Sequence, residues 1–111
     1  MRSPLIELLA WSGCPNHPDA ARAIAAELTY LGHAGYPVEI LWIETEALAE
    51  DEQFVGSPTI RIDGVDIVTP IAGAQPSLSC RLYRTRAGRY SPVPDPADIR
   101  EALETAFAKN S

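Results

Sequence analysis

Cysteine is scarce in this chain of 111 residues, with only Cys14 and Cys80 present. Two cysteines cannot build the disulfide framework of a small secreted domain, so a reducing cytoplasm is the expected compartment. Cysteines there are catalytic, metal-binding or simply buried. Positive charge is also in short supply. Nine basic residues stand against 15 acidic ones, giving a formal net charge of -6. A surface of that sign repels phosphate backbones and argues against a nucleic-acid partner. No apolar run approaches the roughly 20 residues of a membrane span. The stretch from Leu5 to Trp11 is short, carries Glu7, and reads as a strand rather than a signal peptide. Phosphate-cradling glycine loops, G-x-S-x-G elbows, H-E-x-x-H pairs, internal repeats and low-complexity tracts are all missing. The length is that of one domain, here 1–111.

What is present organises into alternating elements. Ile6 to Trp11 is dense in large apolar residues and reads as a buried strand. Ser12-Gly13-Cys14-Pro15-Asn16-His17-Pro18 is rich in turn residues and breaks it. From Pro18 the pattern turns helical, with Ala21, Ile24, Ala25, Leu28 and Leu31 on one face and Asp19, Arg22 and Glu27 elsewhere. Asn16 suits the N-cap, and Gly32 the stop, with His33 near the negative end. Pro37 to Ile43 reads as a second, largely buried strand, and Thr45 as the cap of a short acidic helix ending near Gln53. Ile60-Arg61-Ile62, the Asp63-Gly64 turn and Val65 to Thr69 predict a hairpin. A last helix runs from Pro96 to Lys109, with Ile99, Leu103, Ala106 and Phe107 as its apolar face and Asp95 or Pro94 at its start. The order β-α-β-α-β-β-α implies an α/β fold, one sheet covered by helices. Residues 70–94, with four prolines, read as an irregular insertion. Trp11 and Trp42 fall within predicted strands and read as core.

Chemistry concentrates at Cys14. A cysteine between a buried strand and a helix N-terminus meets unpaired N–H groups and the positive dipole end, which favour the reactive thiolate. His17, three residues on, could favour it further as an imidazolium, or serve as a base or ligand when neutral. The plain alternative is a small buried hydrophobe beside a solvated histidine. Cys80 lies among Arg81, Arg84, Arg86 and Arg89, four of the nine basic residues. That cluster could lower the thiol's pKa and hold an anion, such as a carboxylate of glutathione, or it could be a solvated loop. Cys14, His17, His33 and Cys80 hold only one close pair, so a zinc site is not expected.

The strand, Gly13-Cys14-Pro15-Asn16-His17 and amphipathic helix resemble the strand–CxxC–helix of the thioredoxin superfamily. Gly56-Ser57-Pro58-Thr59-Ile60 before an Asp63-Gly64 hairpin resembles that family's cis-proline loop and final hairpin. The resemblance implies a thioredoxin-like α/β fold with a central mixed sheet flanked by helices, and it excludes the 70–94 insertion. It implies Cys14 as the nucleophile, Pro58 as the cis-proline beside it, and Ser57 as the residue that offers backbone groups to an extended substrate. Arg81 and Arg84 are candidates for holding the substrate. The Cys-Arg-Leu-Tyr core of the insertion resembles small bacterial thioredoxin-like proteins, some carrying an alkylmercury lyase label. His17 replaces the resolving cysteine, which leaves three readings open. The chain is a monothiol protein resolved by glutathione or another thiol, or it uses Cys80 as a distant partner, or it is a non-catalytic binding module. Soft-metal binding, for example mercury through Cys14 and Cys80, is a further alternative. The expected partner is a thiol or disulfide, with no cofactor.

Overall fold

A computed structural model describes residues 3–109, so the extreme ends of the 1–111 span lie outside it. Nine elements follow in order: β1 (Ile6–Ala10), α1 (His17–Tyr30), β2 (Glu39–Trp42), α2 (Glu46–Asp51), β3 (Thr59–Ile62), β4 (Val65–Asp66), β5 (Tyr83–Arg84), β6 (Tyr90–Ser91) and α3 (Pro96–Lys109). The first four strands form one mixed sheet in the order β2-β1-β3-β4. β1 runs parallel to β2 and antiparallel to β3, and β3 runs antiparallel to β4. Among the described residues this is a mixed α/β architecture with three helices.

Alternation along β1 divides its apolar residues between two layers, because successive side chains leave opposite faces of a strand. Ile6 and Leu8 pack with Ile60 and Ile62 beneath Ala20, Ile24 and Leu28 of α1 and Ile99, Leu103 and Ala106 of α3. Leu9 joins Ile43, Ala49 and Phe54 on the other face. In α3, Ile99, Leu103 and Ala106 are buried as read, while Phe107 is only partly buried against them. In α1, Ile24 and Leu28 are buried as expected, but Ala25 is exposed and Glu27 is buried. Glu27 lies against α3, where Arg100 Nε donates to its Oε1 at 2.6 Å. The cation of the facing helix makes a carboxylate tolerable at that position.

The ends of the elements follow local chemistry. Thr45 Oγ1 accepts the Leu48 N–H at 3.1 Å and caps α2. α1 closes when the His33 N–H donates to the Leu28 carbonyl and the Gly32 N–H to that of Thr29, a Schellman ending. Asp63 and Gly64 both have positive φ, 51° and 82°, as a tight hairpin of this hand requires.

Two strand expectations need correction. β2 is largely exposed rather than buried, with Ile40 at 47% and Trp42 at 42%. The strand order makes it the sheet's edge, at the margin of the helical cover. β4 is also shorter than the expected Val65–Thr69. Asp66 Oδ1 accepts the Val68 N–H and turns the chain away. Within 70–94, β5 and β6 pair as a small separate sheet.

Candidate functional site

Ser57 is where three parts of the chain meet. Its hydroxyl oxygen accepts the Trp11 N–H at 3.1 Å, tying the end of β1 to the loop before β3. Its own N–H donates to the Ser79 carbonyl, and its carbonyl accepts the Arg81 N–H, each at 2.8 Å. Ser57 and Cys80 thereby form a parallel bridge. The Ser57–Pro58 peptide bond is cis. The resemblance assigns these backbone groups of Ser57 to an extended substrate. They are instead occupied by the chain's own residues 79–81, because the insertion folds back along the loop.

That return brings the two cysteines together. Cys14 and Cys80, 66 residues apart, form a disulfide with a Cα–Cα separation of 5.5 Å, within the usual range. Their exposure differs sharply. Cys14 is 0% exposed, whereas Cys80 is an exposed residue. The Cys14 sulfur has two polar neighbours, the Ser57 carbonyl oxygen at 3.4 Å and the Asn16 amide, whose Nδ2 donates at 3.5 Å. Asn16 occupies the N-cap position, but its side chain makes no cap hydrogen bond. It is turned to the sulfur instead, a role its suitability as an N-cap did not reveal.

His17 begins α1, and its Nδ1 lies 3.4 Å from the Cys14 carbonyl oxygen. Its ring meets Trp42 edge-on, with centroids 4.9 Å apart. Trp42 is thus a surface partner of His17 and not core, while Trp11 is half-buried against the Leu9 cluster.

The arginine run does not gather into one cationic site. Arg81 turns inward with its side chain only 9% exposed, and Nη1 donates to Asp66 Oδ2 at 2.8 Å and Thr59 Oγ1 at 3.1 Å. Nη2 donates to the Val68 carbonyl at 2.8 Å, and the guanidinium covers the Tyr83 ring. Arg81 therefore serves the packing of the insertion instead of presenting its fork to solvent. Arg86 pairs with Asp98 and Glu101 on α3. Arg84 is exposed over Tyr90. Tyr83 is buried and donates its hydroxyl to the Pro58 carbonyl, and burial pushes its ionisation far above the ordinary phenol range. Neither the run of arginines nor the spacing of Asp66 signals this arrangement in the sequence.

Beside Cys80 opens a cleft of about 570 Å³, lined by Val55, Ile71, Leu82, Arg84 and Tyr90 among others. Ile71, Leu82 and Tyr90 are 83%, 65% and 66% exposed. No group of three or more His, Cys, Asp or Glu among the described residues is placed to hold a metal ion. No helix among them is long and apolar enough to cross a membrane. No protein family, curated protein or solved structure matches this chain.

Proposed function

We propose that this protein is a thioredoxin-like thiol–disulfide exchange protein whose redox pair is Cys14 and Cys80. The observation that carries the reading is the disulfide between a strand-to-helix cysteine and a cysteine delivered by the insertion. It supplies the second thiol that His17 displaces from the local motif. The order β1, Cys14, α1, β2, α2, Ser57-Pro58 and the β3–β4 hairpin supports the thioredoxin-like reading. So does the approach of the Ser57 carbonyl to the Cys14 sulfur.

The chemistry follows from the setting. After reduction, Cys14 lies at the N-terminal end of α1, where the dipole and the Asn16 amide favour a thiolate. The substrate class is a thiol or disulfide, with glutathione as the candidate small-molecule partner. A disulfide of this kind suits the cytoplasm, where those that form are transient and catalytic.

The test is equilibration of the purified protein with glutathione redox buffers, read by intact mass. The pair should lose and regain two hydrogens reversibly. In a glutathione-coupled disulfide-reduction assay, Cys14→Ser and Cys80→Ser should each lower turnover by at least about tenfold. A pair that never opens in reducing buffer, together with no turnover by the unmodified protein, overturns the reading.

A further inference from the structure

We infer that substrate meets this redox pair at Cys80, and that Cys14 is the buried partner that leaves and resolves. The inference rests on the redox reading above and assigns its polarity. The resemblance gives the substrate-facing role to Cys14, but burial points the other way.

Cys14 is fully covered, and the strand that carries Cys80 runs beside Ser57, whose carbonyl oxygen lies 3.4 Å from the Cys14 sulfur. That strand is held by more than the disulfide. Ser57 bonds it on both sides, and the Ser77 N–H donates to the Phe54 carbonyl. Leu78 packs against the Leu9 cluster. Arg81 is tied to Asp66, Thr59 and Val68, and Tyr83 to Pro58. Breaking the sulfur–sulfur bond removes none of these contacts. The strand stays in place after reduction and Cys14 stays covered, while Cys80 still faces the cleft beside Val55, Leu82 and Arg84.

Leaving-group chemistry agrees with access. In thiol–disulfide exchange the sulfur better stabilised as a thiolate leaves faster. The α1 N-terminus and the Asn16 amide stabilise Cys14, whereas the guanidinium nearest Cys80 in sequence is turned inward onto Asp66. A substrate thiolate therefore attacks the Cys80 sulfur. A substrate–Cys80 bond forms, the Cys14–Cys80 bond breaks, and its electron pair goes to Cys14. A second substrate thiolate then attacks the substrate sulfur of this mixed disulfide. The substrate disulfide departs, and the two protein thiolates take up protons from solvent. Two substrate thiols are oxidised and the protein disulfide is reduced. In the reverse direction Cys80 attacks a substrate disulfide, and Cys14 resolves the mixed disulfide by attacking Cys80.

The test is competitive labelling of the reduced, folded, unmodified protein with substoichiometric iodoacetamide, followed by peptide mapping. Cys80 should be alkylated at least about tenfold faster than Cys14, access outweighing the more thiolate-prone setting of Cys14. With oxidised glutathione as the probe, Cys14→Ala should accumulate a glutathione adduct on Cys80. Cys80→Ala should leave Cys14 unmodified until denaturant is added. Faster labelling of Cys14 in the unmodified protein, or equal adduct formation by the two variants, overturns the inference. If the pair equilibrates with glutathione buffers but Cys14 reacts first, the polarity is wrong and the redox reading stands. If the pair does not equilibrate at all, the redox reading itself fails.

Discussion

Gly56 is the residue on which the approach of the two cysteine-bearing segments depends. Its φ is 143°, and a Cβ built there would lie 2.9 Å from Arg81 Cβ and 3.1 Å from the Arg81 Cα and backbone nitrogen. These are main-chain and near-main-chain atoms, so they yield only if the 79–81 strand moves away from Ser57. Gly56→Ala should therefore destabilise the fold by about 1–3 kcal/mol. It should also slow closure of the Cys14–Cys80 bond, read as the rate of disappearance of free thiol after reductant is removed. Closure at the unmodified rate would show that the strand docks without this close contact. In the sequence Gly56 stands within a recognisable loop motif, but the reason for glycine is Arg81, 25 positions further on. Asn16 teaches the same lesson. Its residue type matches a helix cap, and only the folded loop shows its amide directed at sulfur.

At the scale of elements, the helices were the most legible parts. Periodicity outlined α1 and α3, Thr45 marked the start of α2, and Gly32 marked the end of α1, because these signals act within a few residues of chain. β2 has the composition of a buried strand yet is largely exposed, because strand order makes it an edge and composition does not encode that. The join between the insertion and α3 depends on Asp95, whose carboxylate accepts the N–H groups of Arg86 and Ala97 at 2.8 and 2.9 Å. The Arg86 N–H, followed by that of Ala97, holds the Asp95 carboxyl below its ordinary value of 3.8. A carboxyl depressed by folding favours the folded state when ionised. Its contribution is complete above the unfolded pKa and disappears as pH falls through the folded one. In denaturant titrations, Asp95→Asn should be less stable than the unmodified protein at neutral pH. The gap should close as pH drops through and below the carboxylate range. A gap independent of pH would remove Asp95 from the acid sensitivity of the fold.

For the whole molecule, the disulfide is a covalent tie between residues 66 positions apart. Chain-entropy reasoning for a loop of that size gives about 4 kcal/mol of stabilisation, with measured cases more often near 2–4. Reduction should lower the unfolding free energy by about this amount, and Cys80→Ser should do the same without reductant. Chemical denaturation with and without dithiothreitol checks both, and an unchanged midpoint would overturn the expectation. The sequence by itself determined the alternation of elements, the tight Asp63-Gly64 turn and the helix-terminal setting of Cys14. All of these arise from periodicity, capping and turn preferences that act between near neighbours. The tertiary structure alone decided that the insertion lies along Ser57, that Arg81 turns inward onto Asp66, and that Cys80 bonds to Cys14. Those outcomes depend on contacts between segments tens of residues apart, where packing and hydrogen-bond satisfaction select the partner and local residue preferences carry no information about it.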